Sequence, residues 1–514
     1  MTLKNLIPRN SRSSLQSPWL IIILFSTLGL IGILNHAMWR DELNPWLIVR
    51  DSESFADLIA NIHYEGHPVL WYFCLAVLRR IAENPVIMQF FHLAIAVVSV
   101  ALFCLYSPFN QQQKFLFSFG FFPFYEYMII SRNYAFSMLF IFVFCTVFSS
   151  RKKTYIYLAI LLGLLANSSA YALFVSFALL LTLLGEFCFD TEHRQDYFSH
   201  SQKYDLYLSI GIIIFAFILS VYIISPPADS YLHGGLNGGW VNQLDFRHLL
   251  RSIGRLFGGY LLIIPTHKRW LDLIICGAIA LFIFGLSIIK LSKKPWALFF
   301  YITGNTIILT FTYLRFPGAP RHYGHFYLIL MAALWLGGQS KESLFLINKI
   351  QIPATTIKWG EKWHHIALMV ILYVQFLGGI GSFAKEFFIP YSASRETANY
   401  LQQSQLDHNF IVASRDANMA ALSGYLNRKL YYPELQKLGS FTLFKAGREQ
   451  VEQPEILTQI TTLLTTEPES PKILLILNKK LDTSHPDLRI IPLKSFEKAW
   501  VDDERYYLYW VTPI

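Results

Sequence analysis

The sequence predicts a polytopic α-helical membrane protein of about eleven transmembrane helices, followed by a small α/β domain. Three observations carry that expectation. Of 514 residues, 54% are hydrophobic and only 15% are charged, against about 25% charged in a soluble domain. The charge is also uneven: 31 charged residues fall in the last 131 positions and 46 in the first 383. Finally, apolar runs long enough to span a bilayer recur through the first 383 residues and then stop. A single soluble domain, a disordered chain and a disulfide scaffold are excluded. Cys74, Cys104, Cys145, Cys188 and Cys276 all lie in apolar segments, so no disulfide framework or cysteine zinc site is implied. A net charge of +9 reads as a topology signal, and no nucleic-acid partner is expected.

The elements follow in order. Lys4, Arg9 and Arg12 precede an apolar run from Trp19 to Met38 with no small-residue cleavage site after it. This is a retained helix with a cytoplasmic N-terminus. Further runs lie near 85–106, 115–130, 133–150, 154–169, 170–188, 204–225, 270–290, 296–314, 322–338 and 364–383. Arg151-Lys152-Lys153, Lys290 with Lys293-Lys294, and the stretch Lys341 to Lys362 are the strongest basic loops and are assigned to the cytoplasm. Parity then requires that 67–82 lie along the outer interface instead of crossing. It leaves two outer loops, 38–84 and 226–269, and places the tail, 384–514, outside. Asp41, Glu42, Glu65, His67, Arg132, His233, Arg315, Arg321 and His322 all fall on that outer face, with Glu126 just inside it.

Five constellations on that face can carry chemistry. In Trp39-Arg40-Asp41-Glu42, paired carboxylates at a membrane boundary are costly to desolvate. They suit a general base on an incoming hydroxyl, or equally a juxtamembrane pair held by Arg40. His63-Tyr64-Glu65-Gly66-His67-Pro68 opens the interfacial segment, and Glu65 with His67 could ligate zinc or magnesium. The spacing matches no standard metal motif, so a divalent cation stays an open possibility. Tyr125-Glu126-Tyr127 precedes Ser131-Arg132-Asn133-Tyr134. Arg132 can grip phosphate oxygens, or pair with Glu126, or snorkel. Arg315 to His325 holds Arg315, Arg321, His322 and His325 on the side that positive charge avoids, which an anionic ligand or a misassigned topology would explain. The Gly-rich stretch around His233 has no phosphate-loop pattern.

In its order of motifs the chain resembles the GT-C integral membrane glycosyltransferases. These motifs are a span followed by Asp41-Glu42, the Glu65-x-x-Pro68 segment and Arg132-x-Tyr134 at a later helix start. The nearest group is the protein O-mannosyltransferase, aminoarabinose transferase and RgtA/B/C/D-like group. The likeness covers about 1–190 well and 300–340 loosely. It implies a GT-C-like module over 1–383 and an extracytoplasmic domain over 384–514 in a bacterial inner membrane. It further implies an inverting transfer of sugar from a polyprenyl-phosphate donor to a glycan, lipid or protein hydroxyl. Asp41 would be the base, with Glu42 as its neighbour. Arg132 and Arg321, with Tyr134 and His322, would face the donor phosphate. Glu65 with His233 would be the metal ligands, supported by His67, Glu126 and Arg315. His67 replaces a proline of the aminoarabinose transferases. The competing expectation is a lipid or solute transporter or flippase without transferase chemistry.

In the tail, helices are expected over 392–403 and 416–426 and strands over 410–413, 472–477 and 506–511, the last near an edge. Residues 384–391 are read as a hinge.

Overall fold

The computed structural model describes residues 17–230, 244–264, 269–446, 448, 450–466 and 472–514. Lys4, Arg9, Arg12 and His233 lie outside the described residues. The protein is a polytopic helical membrane protein with a small C-terminal sheet domain. Among the described residues, eight helices are long and apolar enough to cross a bilayer. These are α1 (Pro18–Asn35), α5 (Val86–Tyr106), α7 (Tyr134–Val147, extended by a 3-10 turn to Lys152), α9 (Ala170–Phe189), α11 (Asp205–Ile224), α13 (Trp270–Leu291), α14 (Pro295–Leu314) and α17 (Ala354–Glu386). Between α1 and α5 run the short helices α2 (Arg40–Asp51), α3 (Phe55–Ile62) and α4 (Leu70–Ile81). The 12 residues of α4 span about 18 Å, too little to cross.

Three of the eleven expected spans take other forms. The run 115–130 is broken into α6 (Gln111–Ser118) and a π-helical turn, Phe121–Glu126, because Gly120 and Pro123 interrupt the i to i−4 ladder. The run 154–169 forms only α8 (Ile156–Ala166). The run 322–338 becomes α15 (Pro320–Gln339), 20 residues long but with arginine, histidines and tyrosines in its first turns. Linking helices are α10 (Thr191–His200), α12 (Phe246–Leu261) and α16 (Phe345–Ile350). The π turn nests against α17 at Gly379, where a Cβ would stand 2.3 Å from the Phe119 carbonyl oxygen.

The C-terminal domain holds α18 (Ser394–Gln403), β1 (Ile411–Ser414), α19 (Asp416–Leu426), β2 (Leu430–Tyr432), β3 (Lys437–Gly439), α20 (Gln453–Thr466), β4 (Ile473–Leu477), β5 (Leu488–Phe496) and β6 (Tyr506–Pro513). The sheet order is β3-β2-β1-β4-β6-β5, with β1 parallel to β2 and β4. Leu475 pairs with Tyr509 and Ile490 with Val511. Alternation along β4 sends Leu474 and Ile476 to one core with Met419 and Tyr506, and Ile473 and Leu475 to another with Leu457 and Ile460. The strand at 506–511, β6, is the penultimate strand of the sheet, near an edge as expected. The unanticipated β5, apolar at Leu488, Ile490, Ile491, Leu493 and Phe496 but fully buried only at its two ends, is one of the two edge strands, with β3 the other.

The expected hinge is instead a clamp. Helix α17 runs unbroken to Glu386, and the amides of Trp500 and Val501 donate to the carbonyls of Pro390 and Tyr391 (2.8 and 3.2 Å). Helix α19 lies on α2, with Gly424 so close to Leu43 that an added Cβ would meet it at 3.1 Å.

Candidate functional site

Asp41 occupies the first turn of α2, whose N-terminus is capped by a side chain three residues along. Glu42 Oε2 accepts the Trp39 amide at 3.2 Å. Adjacent helical positions diverge by about 100°. Asp41 therefore points into a cavity, and Glu42 points back into protein. The buried Glu42 carboxylate also takes the Ser131 amide at 2.6 Å and His36 Nε2 at 2.8 Å. The other ring nitrogen of His36 meets Glu386. Burial opposes a charged imidazole there, but the carboxylates of Glu386 and Glu42 raise its pKa to about 10. Glu42 is thus a structural anchor, not a group open to substrate. His36 and Glu386 escaped sequence reading because isolated polar residues at span ends carry no spacing signal.

Three chain segments meet at Asp41. Arg132 Nη1 and Arg321 Nη2 both reach Asp41 Oδ2, at 2.5 and 3.1 Å. Arg40 Nε stands 3.8 Å from the other oxygen. The Asp41 side chain keeps 24% exposure, toward the cavity. Partial burial works against its ionisation, yet Arg132, Arg321 and Arg40 hold its pKa down at about 2. The backbone around both arginines is fixed. His92 reaches the carbonyls of Met128 and Arg132 (3.0 and 2.9 Å), and the Tyr127 hydroxyl donates to the Arg321 carbonyl (2.7 Å).

Arg132 also turns Nη2 to His67 Nε2 at 3.2 Å, which requires the unprotonated nitrogen as acceptor. Burial, reinforced by Arg132 and Arg321, pushes His67 down to about 3, so it is neutral here. Glu65 accepts from Asn44 Nδ2 (3.2 Å) and the Tyr72 hydroxyl (3.3 Å), and burial raises it to about 7. Asn44 shares the Asp41 face of α2 at i+3, a periodicity that could have identified it. His322 takes the Ala319 amide on Nδ1 (2.7 Å) and therefore donates from Nε2 to the Tyr134 hydroxyl (2.8 Å). Its ring stacks on Tyr171 at 4.5 Å.

These groups line one side of a cavity of about 540 Å³. The opposite side is apolar: Leu173, Phe174, Val221, Ile224, Phe311 and Phe316. It reaches the outside of the helix bundle at Val221, 52% exposed. The C-terminal domain supplies Ala417, Thr442 and Phe444. Asn44 and Thr442 exchange two hydrogen bonds (2.8 and 3.1 Å), and the Ala446 amide donates to the Asp229 carbonyl (2.7 Å).

Several expected members stand apart. Among the described residues, Glu126 forms no ion pair with Arg132, whose guanidinium is engaged by Asp41. Arg315, at the C-cap of α14, is outside the cavity lining. Glu65 and His67, the two candidate ligands that are described, fit a cation poorly, because His67 Nε2 faces a guanidinium and Glu65 is bonded to neutral donors. Among the described residues no group of three His, Cys, Asp or Glu is placed to hold a metal ion. His233 lies outside the described residues.

Half polar and cationic, half apolar, the cavity suits an amphiphile with an anionic head. No protein-family model matches the sequence, and no curated protein matches it.

Proposed function

We propose that this protein is a GT-C-type inverting glycosyltransferase that moves a sugar from a polyprenyl phosphate to an acceptor hydroxyl at the outer face of a bacterial inner membrane. The observation that supports this reading is the meeting of Asp41 with Arg132 and Arg321 at the mouth of an apolar cavity. Lipid phosphate oxygens would take over the two guanidiniums, which can bind them in paired hydrogen bonds. The polyprenyl chain would lie along Phe174, Val221 and Phe311.

Displacement of the arginines from Asp41 matters for the chemistry. A carboxylate pinned by two cations is a weak base, and it recovers strength when phosphate neutralises them. Asp41 would then take the acceptor proton as the hydroxyl oxygen bonds to the anomeric carbon. The bond from that carbon to phosphate oxygen breaks on the opposite face, inverting the configuration. Polyprenyl phosphate leaves as an anion stabilised by Arg132 and Arg321, so no strong general acid is required. Neutral His67 and His322 would orient Arg132 and Tyr134 without adding positive charge.

On this reading the N-terminus is cytoplasmic and the C-terminal domain extracytoplasmic. The basic ends of α7, α13 and α17 face the cytoplasm; α15, the broken 115–130 segment and the whole 154–169 stretch, in which the 11-residue α8 is too short to cross without its flanking residues, complete eleven crossings. The test is to delete the gene and measure glycans and lipid-linked sugars by mass spectrometry, complementing with wild type or Asp41→Asn. A glycan that disappears, with its polyprenyl-phosphate sugar accumulating, and that returns only with wild type supports transfer. Restoration by Asp41→Asn overturns it.

A further inference from the structure

The helix α12 lies outside the cavity lining and carries Arg247, Arg251 and Arg255 at i, i+4 and i+8, on one face. It does not lie flat on the surface. His248 Nε2 meets the Tyr313 carbonyl at 2.8 Å near the end of α14, and the Tyr260 hydroxyl meets the Tyr301 hydroxyl at 3.0 Å. Twelve residues separate the contacts on each helix, so α12 runs antiparallel to a spanning helix for roughly 18 Å at 1.5 Å per residue. Its inner end is held by Gln375 Nε2, which donates to the carbonyls of Gly259 and Tyr260 (3.0 and 3.2 Å). Arg255 therefore starts about 10 Å further in than His248.

Arg255 is 8% exposed and packs over the Tyr323 ring at 5.3 Å. Its Nε is buried without a hydrogen-bond partner, as is Nε of Arg251. Neither arginine forms an ion pair among the described residues. The undescribed stretches nearest α12, 231–243 and 265–268, contain no Asp or Glu, and Asp245 caps the helix at the His248 amide. A guanidinium drawn below the membrane surface without an anion is costly, and such residues mark ligand pathways. The Tyr323 hydroxyl donates to the carbonyls of Pro317 and Gly318 (3.1 and 2.9 Å), and neither Tyr323 nor Arg255 is part of the cavity lining that includes Phe316 and His322.

We propose that Arg251 and Arg255 bind a phosphate group at a site separate from the Asp41 cavity, presented by the headgroup of a membrane lipid. The site is independent of the transferase reading. Two guanidiniums one helical turn apart match the several oxygens of a phosphate diester, and the exposed Leu271, Ile274 and Ile275 of neighbouring α13 offer an acyl chain its path.

The test uses full-length protein purified into nanodiscs of phosphatidylglycerol or phosphatidylcholine, then released for native mass spectrometry. Wild type should retain phosphatidylglycerol preferentially. Arg255→Gln should retain it ten- to hundredfold less, the scale of a lost charged hydrogen bond, whereas Lys437→Gln, an exposed change on the C-terminal sheet, should retain it fully. Displacement by millimolar inorganic phosphate would keep the anion site and assign its occupant to free phosphate. Equal retention by wild type and Arg255→Gln overturns the proposal. A second readout covers folding: in delipidated protein, Arg255→Gln should melt no lower than wild type, because it removes an unpaired buried charge. A lower Tm means the guanidinium has an internal partner, and the proposal falls.

Discussion

The carboxylate of Glu42 accepts the backbone amide of Ser131 at 2.6 Å, across 89 residues of chain. That one bond ties the first turn of α2, which carries Asp41, to the residue preceding Arg132. The neighbouring carboxylate therefore sets the distance between acid and guanidinium. His36, between Glu42 and Glu386, extends the tie to the end of α17, and Arg395 of the C-terminal domain donates to the carbonyls of Leu34, Asn35 and His36.

His36→Gln should therefore destabilise the protein strongly. Removing one partner of a buried charge cluster costs about 3–5 kcal/mol. The pH dependence has a definite sign. A folded-state pKa raised to about 10 gives stabilisation that is complete below the unfolded value near 6.5 and is lost as pH rises through 10. The Tm difference between wild type and His36→Gln should be largest near pH 6 and shrink toward pH 10. A gap that widens with pH would mean that the imidazole is neutral in the fold.

Asp41→Asn should fold, since Asp41 is partly exposed and its removal leaves the Glu42 anchor untouched. Transfer should fall roughly 10²–10⁴-fold in kcat, the usual worth of a general base. Donor affinity should hold or rise, because Arg132 and Arg321 lose the carboxylate that competes with phosphate for them. Steady-state kinetics separates the two effects. A variant that loses donor binding and keeps kcat would make Asp41 a structural counter-ion only.

Replacing the arginines should act on the opposite parameter. Arg321→Lys keeps the charge but loses the planar fork, and Arg132→Gln removes both the Asp41 contact and the bond to His67. Each should weaken donor binding by about 1.5–3 kcal/mol, the scale of a charged hydrogen bond. Titration with a labelled polyprenyl phosphate checks this; unchanged affinity in both variants would remove the phosphate assignment.

Much of this site was legible because membrane topology is a coarse but demanding constraint. Once the basic loops fix one side, Asp41, Arg132 and Arg321 must share the other, and they touch. Rotation about α2 is a finer matter: a pair of adjacent carboxylates cannot both face one cavity, so Glu42 turns inward. Arg132 has two oppositely charged neighbours in reach by sequence, Glu126 and Asp41, and only three-dimensional packing selects Asp41. The strap from Thr442 to Ala446 is silent in sequence because its partners, Asn44 and Asp229, are hundreds of residues away. In the tail, apolar runs located the buried strands, whereas β5 is interrupted by Pro492, with a register shift there, and is buried only at Leu488 and Phe496, so its apolar residues do not read as one strand. The Gly120 and Pro123 break likewise hides within an apolar run whose composition reads as a single helix.

Glu65 makes the last prediction, and its sign is opposite to the usual carboxylate. Burial raises it to about 7, so the neutral acid is favoured in the fold up to that pH and the stabilisation tied to it is lost as pH rises through 7. Ionised Glu65 adds negative charge to the cavity that must accept the donor phosphate. Donor KM should therefore climb between pH 6 and 8, while kcat stays nearly level because Asp41, held near 2, does not titrate there. Glu65→Gln, which keeps an acceptor for Asn44 and carries no charge, should flatten the KM profile at its low-pH value. If the profile of Glu65→Gln still rises through pH 7, another group controls the donor site, and the cavity's charge balance must be assigned differently.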